Sequence, residues 1–71
     1  RQARAALAAA QAAASEAEAE FKRVSEIHER RLVSRAQLDQ ATARRDATRA
    51  QLESAQAAVK AASEQVDYTA V

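Results

Sequence analysis

Apolar and small residues recur along this chain in alternating steps of three and four, and the rhythm breaks once. In the second half it runs through Leu38, Ala41, Arg45, Thr48, Leu52, Ala55, Val59, Ala62, Val66 and Thr69. In the first half it runs through Ala3, Leu7, Ala10, Ala14, Ala17, Phe21, Val24 and His28. Such spacing keeps one stripe of a helix turned toward a partner, so each half predicts a long helix with a coiled-coil seam. The first seam is the less sharply defined, because Ala also fills flanking positions between Ala5 and Ala14. Apart from the last few positions, apolar and polar residues never alternate over a useful length, so strands are not predicted.

The break falls at residues 28–37, His28-Glu29-Arg30-Arg31-Leu32-Val33-Ser34-Arg35-Ala36-Gln37. With no Gly and no Pro in the chain, the usual punctuation of a turn is absent and other signals must mark it. Ser34 followed by Gln37 reads as a capping box, in which the hydroxyl takes an orphan N–H of the new helix and the amide reaches back. Val33 and Leu38 occupy the two positions of a hydrophobic staple around that cap. The pattern therefore predicts an all-α fold, an antiparallel two-helix coiled-coil hairpin, with helices over about 2–31 and 35–68 and a tip at 32–34.

Folding the chain back at Leu32–Val33 sets Val24 near Ala41, Ala14 near Leu52, Ala10 near Ala55 and Leu7 near Val59, so that large residues face small ones. Phe21 then meets Arg45 and Thr48, the weakest part of the seam, where Arg45 is expected to lay its stem along the ring and send its guanidinium to solvent. Pairs four apart, Glu18 with Lys22, Glu26 with Arg30, Arg49 with Glu53 and Lys60 with Glu64, support the helices by roughly 0.2–0.5 kcal/mol each. Arms of about 30 residues give a rod roughly 45 Å long at 1.5 Å per residue. The alternative is one continuous helix that dimerises along its seam; the cap, the staple and the Arg30-Arg31 charges, which interrupt the apolar face, argue against it.

Composition narrows the function classes. About a third of the residues are Ala, and the large apolar side chains are confined to Leu7, Phe21, Val24, Ile27, Leu32, Val33, Leu38, Leu52, Val59, Val66, Tyr68 and Val71. These can line a seam but not fill a layered core, so one thin, marginally stable domain is expected. The 11 basic and 10 acidic side chains are spread over both halves, which leaves no basic stripe for nucleic acid. No apolar run is long enough to span a bilayer. Absence of Cys excludes disulfides and thiolate metal sites. Scattered carboxylates and a single His on a rod without a concave pocket point away from an enzyme, a cofactor or a metal. His28 itself reads as a seam residue at a fraying helix end.

Arg23, Ile27 and Ser34 stand at intervals of four and seven, the first two one turn apart on one helix face and the third across the tip. This R-x3-I-x6-S spacing, the turn text RLVSRAQLDQA over 31–41, and the ending Val66-Asp67-Tyr68-Thr69-Ala70-Val71 together resemble the α-helical hairpin of periplasmic adaptor proteins (membrane fusion, HlyD-type). That family has Leu where Ile27 stands, and its C-terminal text marks the re-entry of the helix into a strand of a lipoyl domain. The resemblance implies a piece of a larger adaptor with lipoyl and β-barrel domains, for which the start at Arg1 rather than Met is also suggestive. It implies docking, tip to tip, on a TolC-type outer-membrane channel, linkage to an inner-membrane transporter, and self-association into a ring of six in the periplasm of a Gram-negative bacterium. By that likeness Arg23, Ile27 and Ser34 contact the channel; from the residues alone Ile27 serves equally as seam packing, Ser34 as a cap, and Arg23 as an exposed partner of Glu20 or Glu26. Transported substrate and transporter class are not encoded in a hairpin. Two other readings remain, a structural coiled-coil spacer unrelated to export and a nucleic-acid-binding helical arm, the latter disfavoured by the balanced charge.

Overall fold

The computed structural model describes residues 2–70, with the side chains of 65–70 outside the description. Two helices, α1 (Gln2–Glu29) and α2 (Arg35–Ala70), fold back on one another as a hairpin. The rod measures 60 × 14 × 13 Å over its Cα atoms. A continuous helix of the same chain would extend about 107 Å at 1.5 Å per residue, so the uninterrupted alternative does not hold. The two arms are unequal, 28 residues against 36, and the longer sets the length of the rod. The segment Val66–Val71, read as the re-entry into a strand, lies outside the residues whose side chains are described.

Helix α1 closes at Glu29 rather than near residue 31, and the cause is local. Arg31 takes a left-handed backbone with φ 61°. Its N–H donates to the His28 carbonyl at 2.8 Å, and the Leu32 N–H donates to the Ile27 carbonyl at 2.9 Å. These are the two backbone bonds of a Schellman motif, which satisfies carbonyls the helix leaves without partners. Gly usually holds the left-handed position because it has no Cβ to clash; here an Arg does. The imidazole Nδ1 of His28 lies 3.3 Å from the Val33 carbonyl, so an N–H there ties the last turn of α1 to the connection.

Helix α2 starts with the bond from the Leu38 N–H to the Ser34 carbonyl at 3.2 Å. Val33 and Leu38, on either side of this start, are both half-buried.

The buried core consists of Ala10, Ala17, Ala41 and Ala55. The large seam residues Leu7, Phe21, Val24, Leu38, Leu52 and Val59 are half-buried. A two-helix rod has no third layer: Ala sits at the bottom of the cleft, while longer side chains straddle the seam and keep one flank in water. Ala62 is exposed although it lies on the α2 rhythm, because in this register it faces only the start of α1.

Charges differ from the expected pattern in two ways. The Arg45 guanidinium does not go to solvent: its central carbon sits 4.1 Å from the Phe21 ring centroid. That side chain is 20% exposed, and its Nε and Nη2 donate to Asp46 Oδ1 at 3.1 and 2.9 Å. Stacking on the ring covers an apolar face that a solvent-directed head would leave bare, while Asp46 keeps the charge hydrogen-bonded. Second, none of the four expected intrahelical ion pairs forms among the described residues. Glu18 instead meets Arg49 across the hairpin at 2.7 Å, and Glu16 approaches Arg44 at 3.9 Å. Both lie beside the Ala-lined part of the seam, where small side chains let the two backbones approach. Thr42 and Thr48, also half-buried on α2, return their hydroxyls to carbonyls of their own helix, Leu38 for the first and Arg44 and Arg45 for the second. They can flank a seam without leaving a buried donor unpaired.

Candidate functional site

The closed end of the rod carries an open groove of about 500 Å³ between the end of α1 and the start of α2. Val24, Ile27, Val33 and Ala41 form its apolar lining, with Arg23, Glu20 and Gln37 among its polar walls. Arg23 and Ile27 reach it together because residues four apart on a helix share a face. The Arg23 side chain is 65% exposed and paired with Glu20, three residues earlier. Ile27 is half-buried, its side chain shared between seam and groove.

Ser34 is not part of the groove wall. It is joined to it through Gln37, by a reciprocal pair of bonds: the Ser34 N–H donates to Gln37 Oε1 at 2.8 Å, and the Gln37 N–H donates to Ser34 Oγ at 3.1 Å. The Ser34 hydroxyl also lies 3.2 Å from Gln37 Oε1, to which it can donate. Two backbone donors at the start of α2 are thereby satisfied. Gln37 itself lines the groove.

Two features of the tip were not read from the pattern. The first is the left-handed Arg31. The second is Leu32, which at 71% exposure is the large apolar side chain that the described residues leave in water. A signal for Leu32 existed: it lies on neither seam, since the rhythm of α1 ends at His28 and that of α2 begins at Leu38.

The groove offers a guanidinium, side-chain amides and an apolar floor of buried and half-buried residues. An open surface of this kind, with an apolar patch between polar walls, can recognise another protein. Among the described residues no group of three His, Cys, Asp or Glu side chains could hold a metal ion. No helix is long and apolar enough to cross a membrane.

No curated protein and no solved structure matches the chain significantly. Residues 1–69 match the model described as the RND membrane fusion protein α-helical hairpin domain, and the chain belongs to that family.

Proposed function

We propose that the hairpin acts as the distal arm of a periplasmic adaptor in a Gram-negative bacterium; membership of its family, which implies an adaptor role in RND efflux systems, supports this over a spacer unrelated to export. Its closed end docks tip to tip on a TolC-type outer-membrane channel, while domains beyond the hairpin link it to an inner-membrane transporter. Copies stand side by side in a ring, six in the assembled adaptor. Arg23 donates to polar groups of the channel tip through its planar fork, Ile27 presents an apolar surface, and Ser34 holds the start of α2 in place beside them.

The observation that supports this reading best is the meeting of Arg23 and Ile27 in one open groove at the closed end of the rod. Stability alone gives no reason for Arg23 to be there, because an exposed pair such as Arg23–Glu20 contributes only about 0–1 kcal/mol. Arg23→Ala is therefore expected to leave the helical circular dichroism signal intact and to reduce binding to a purified TolC-type channel in nanodiscs by tenfold or more. Unchanged binding, or a collapse of helicity, would count against the docking role.

A further inference from the structure

The closed end of the rod places Leu32 at its extremity, 71% exposed, between Arg30 and Arg31 on one side and Arg35 on the other. A single exposed Leu on the flank of a helix is ordinary and requires no explanation. Leu32 differs in three respects. It follows a Schellman turn, in which the residue at its position usually packs back on the helix it has just left. Its N–H makes the expected backbone bond to Ile27, yet its side chain remains in water. The residue before it, Arg31, holds a left-handed backbone that Gly would adopt without the steric cost of a Cβ. The chain thus keeps a charged side chain at the position where Gly would give the more stable turn, and an apolar one where packing is not used. Arg30 and Arg31 make no ion pair among the described residues, whereas Arg35 is held by Asp39 at 3.4 Å.

We propose that Leu32 and its arginine collar form an apolar knob that inserts into a notch of a partner protein, rimmed by carboxylates or by exposed carbonyls of helix C-termini. The proposal rests on the docking function above and adds to it a contact distinct from Arg23, Ile27 and Ser34, together with the chemistry of its receptor. Leu32 desolvates in the notch, while the guanidinium groups of Arg30 and Arg31 meet the acceptors around it; Arg is enriched among the side chains that carry most of the energy at protein interfaces. A second copy of the hairpin is disfavoured as the occupant, because tip-to-tip contact would bring two arginine collars together. A lipid surface is disfavoured because one Leu is too little apolar area for stable anchoring.

The test compares the wild-type protein with Leu32→Asn and with the double variant Arg30→Gln/Arg31→Gln. Binding is measured to a purified TolC-type channel in nanodiscs at low and high salt and to vesicles of zwitterionic and anionic lipid, and self-association is measured by sedimentation over a concentration series. Leu32→Asn is expected to weaken channel binding tenfold or more, with a thermal midpoint within about 1 °C of wild type because the side chain is already exposed. The double variant is expected to bind more weakly at low salt and to lose most of its salt dependence. Channel binding by Leu32→Asn equal to wild type overturns the knob and leaves the docking function standing. A wild-type protein that binds no channel overturns both. Vesicle binding that is strong in wild type and lost in Leu32→Asn replaces the protein notch by a membrane, and concentration-dependent dimers lost in Leu32→Asn replace it by a second copy.

Discussion

Arg31 shows how a turn can be built without the residues that usually announce one. The left-handed backbone at φ 61° costs an L-residue with a Cβ about 1–2 kcal/mol relative to the right-handed form, and the two Schellman bonds from Arg31 and Leu32 offset part of that. Arg31→Gly is therefore expected to raise the stability of the hairpin by about 1 kcal/mol, less what the freer unfolded chain takes back; a thermal melt checks it, and a lower midpoint would contradict the strain. Across the tip, the Ser34–Gln37 bonds at 2.8 and 3.1 Å make the start of α2 depend on one hydroxyl. Ser34→Ala should destabilise by about 0.5–2 kcal/mol through the lost cap, and an unshifted denaturation midpoint would show that the cap contributes nothing. At this scale the sequence was partly legible. Ser34 and Gln37 each bond the other's backbone N–H across three residues, so spacing alone pointed to their bonds. The left-handed Arg31 was not readable, because that backbone is usually signalled by Gly or Asn and an Arg carries no such mark.

The packing between elements follows from side-chain size. Ala17, at 1% exposure, is the most deeply buried residue of the seam, and Ala10, Ala41 and Ala55 share the cleft with it. A larger side chain there has no void to enter, so Ala17→Leu should force the helices apart and cost about 1–3 kcal/mol. Both the melting temperature and the sedimentation coefficient should fall; an unchanged pair of values would mean that the seam is loosely packed. Ala is so frequent in α1 that composition could not say which Ala faces inward, but the three-four rhythm placed Ala3, Ala10, Ala14 and Ala17 on the seam, and the register with α2 fully buries Ala10 and Ala17 of these. The ion pairs follow the same logic. Glu18 and Arg49 each had a suitable partner four residues away on its own helix, but the hairpin brings them to 2.7 Å of each other. Arg45 also depends on its neighbour, since the stacking at 4.1 Å requires the Phe21 ring of the other helix.

The whole molecule is a rod of 60 Å with a cross-section of 14 × 13 Å over Cα atoms. A shape this thin has no interior beyond its seam, so what it can do is hold its closed end at a distance and present it. Small-angle scattering of the monomeric chain should return a radius of gyration close to the 16.7 Å of the Cα trace, raised slightly by side chains and hydration. A continuous helix of about 107 Å would give about 31 Å, the length divided by √12, at the rise of 1.5 Å per residue, and that value would rule out the hairpin. By itself the sequence determined the two helices, the seam, the reversal and its cap, because these depend on local spacing and on bonds between residues a few positions apart. The tertiary structure alone decided which of the seam Ala residues are fully buried, that Glu18 and Arg49 pair across the rod, that the Arg45 guanidinium stays on the Phe21 ring instead of entering solvent, and that Arg31 takes a left-handed backbone beside Leu32. Each of these is set by the approach of two distant parts of the chain or by the path of the turn that joins them, and no spacing along one helix encodes either.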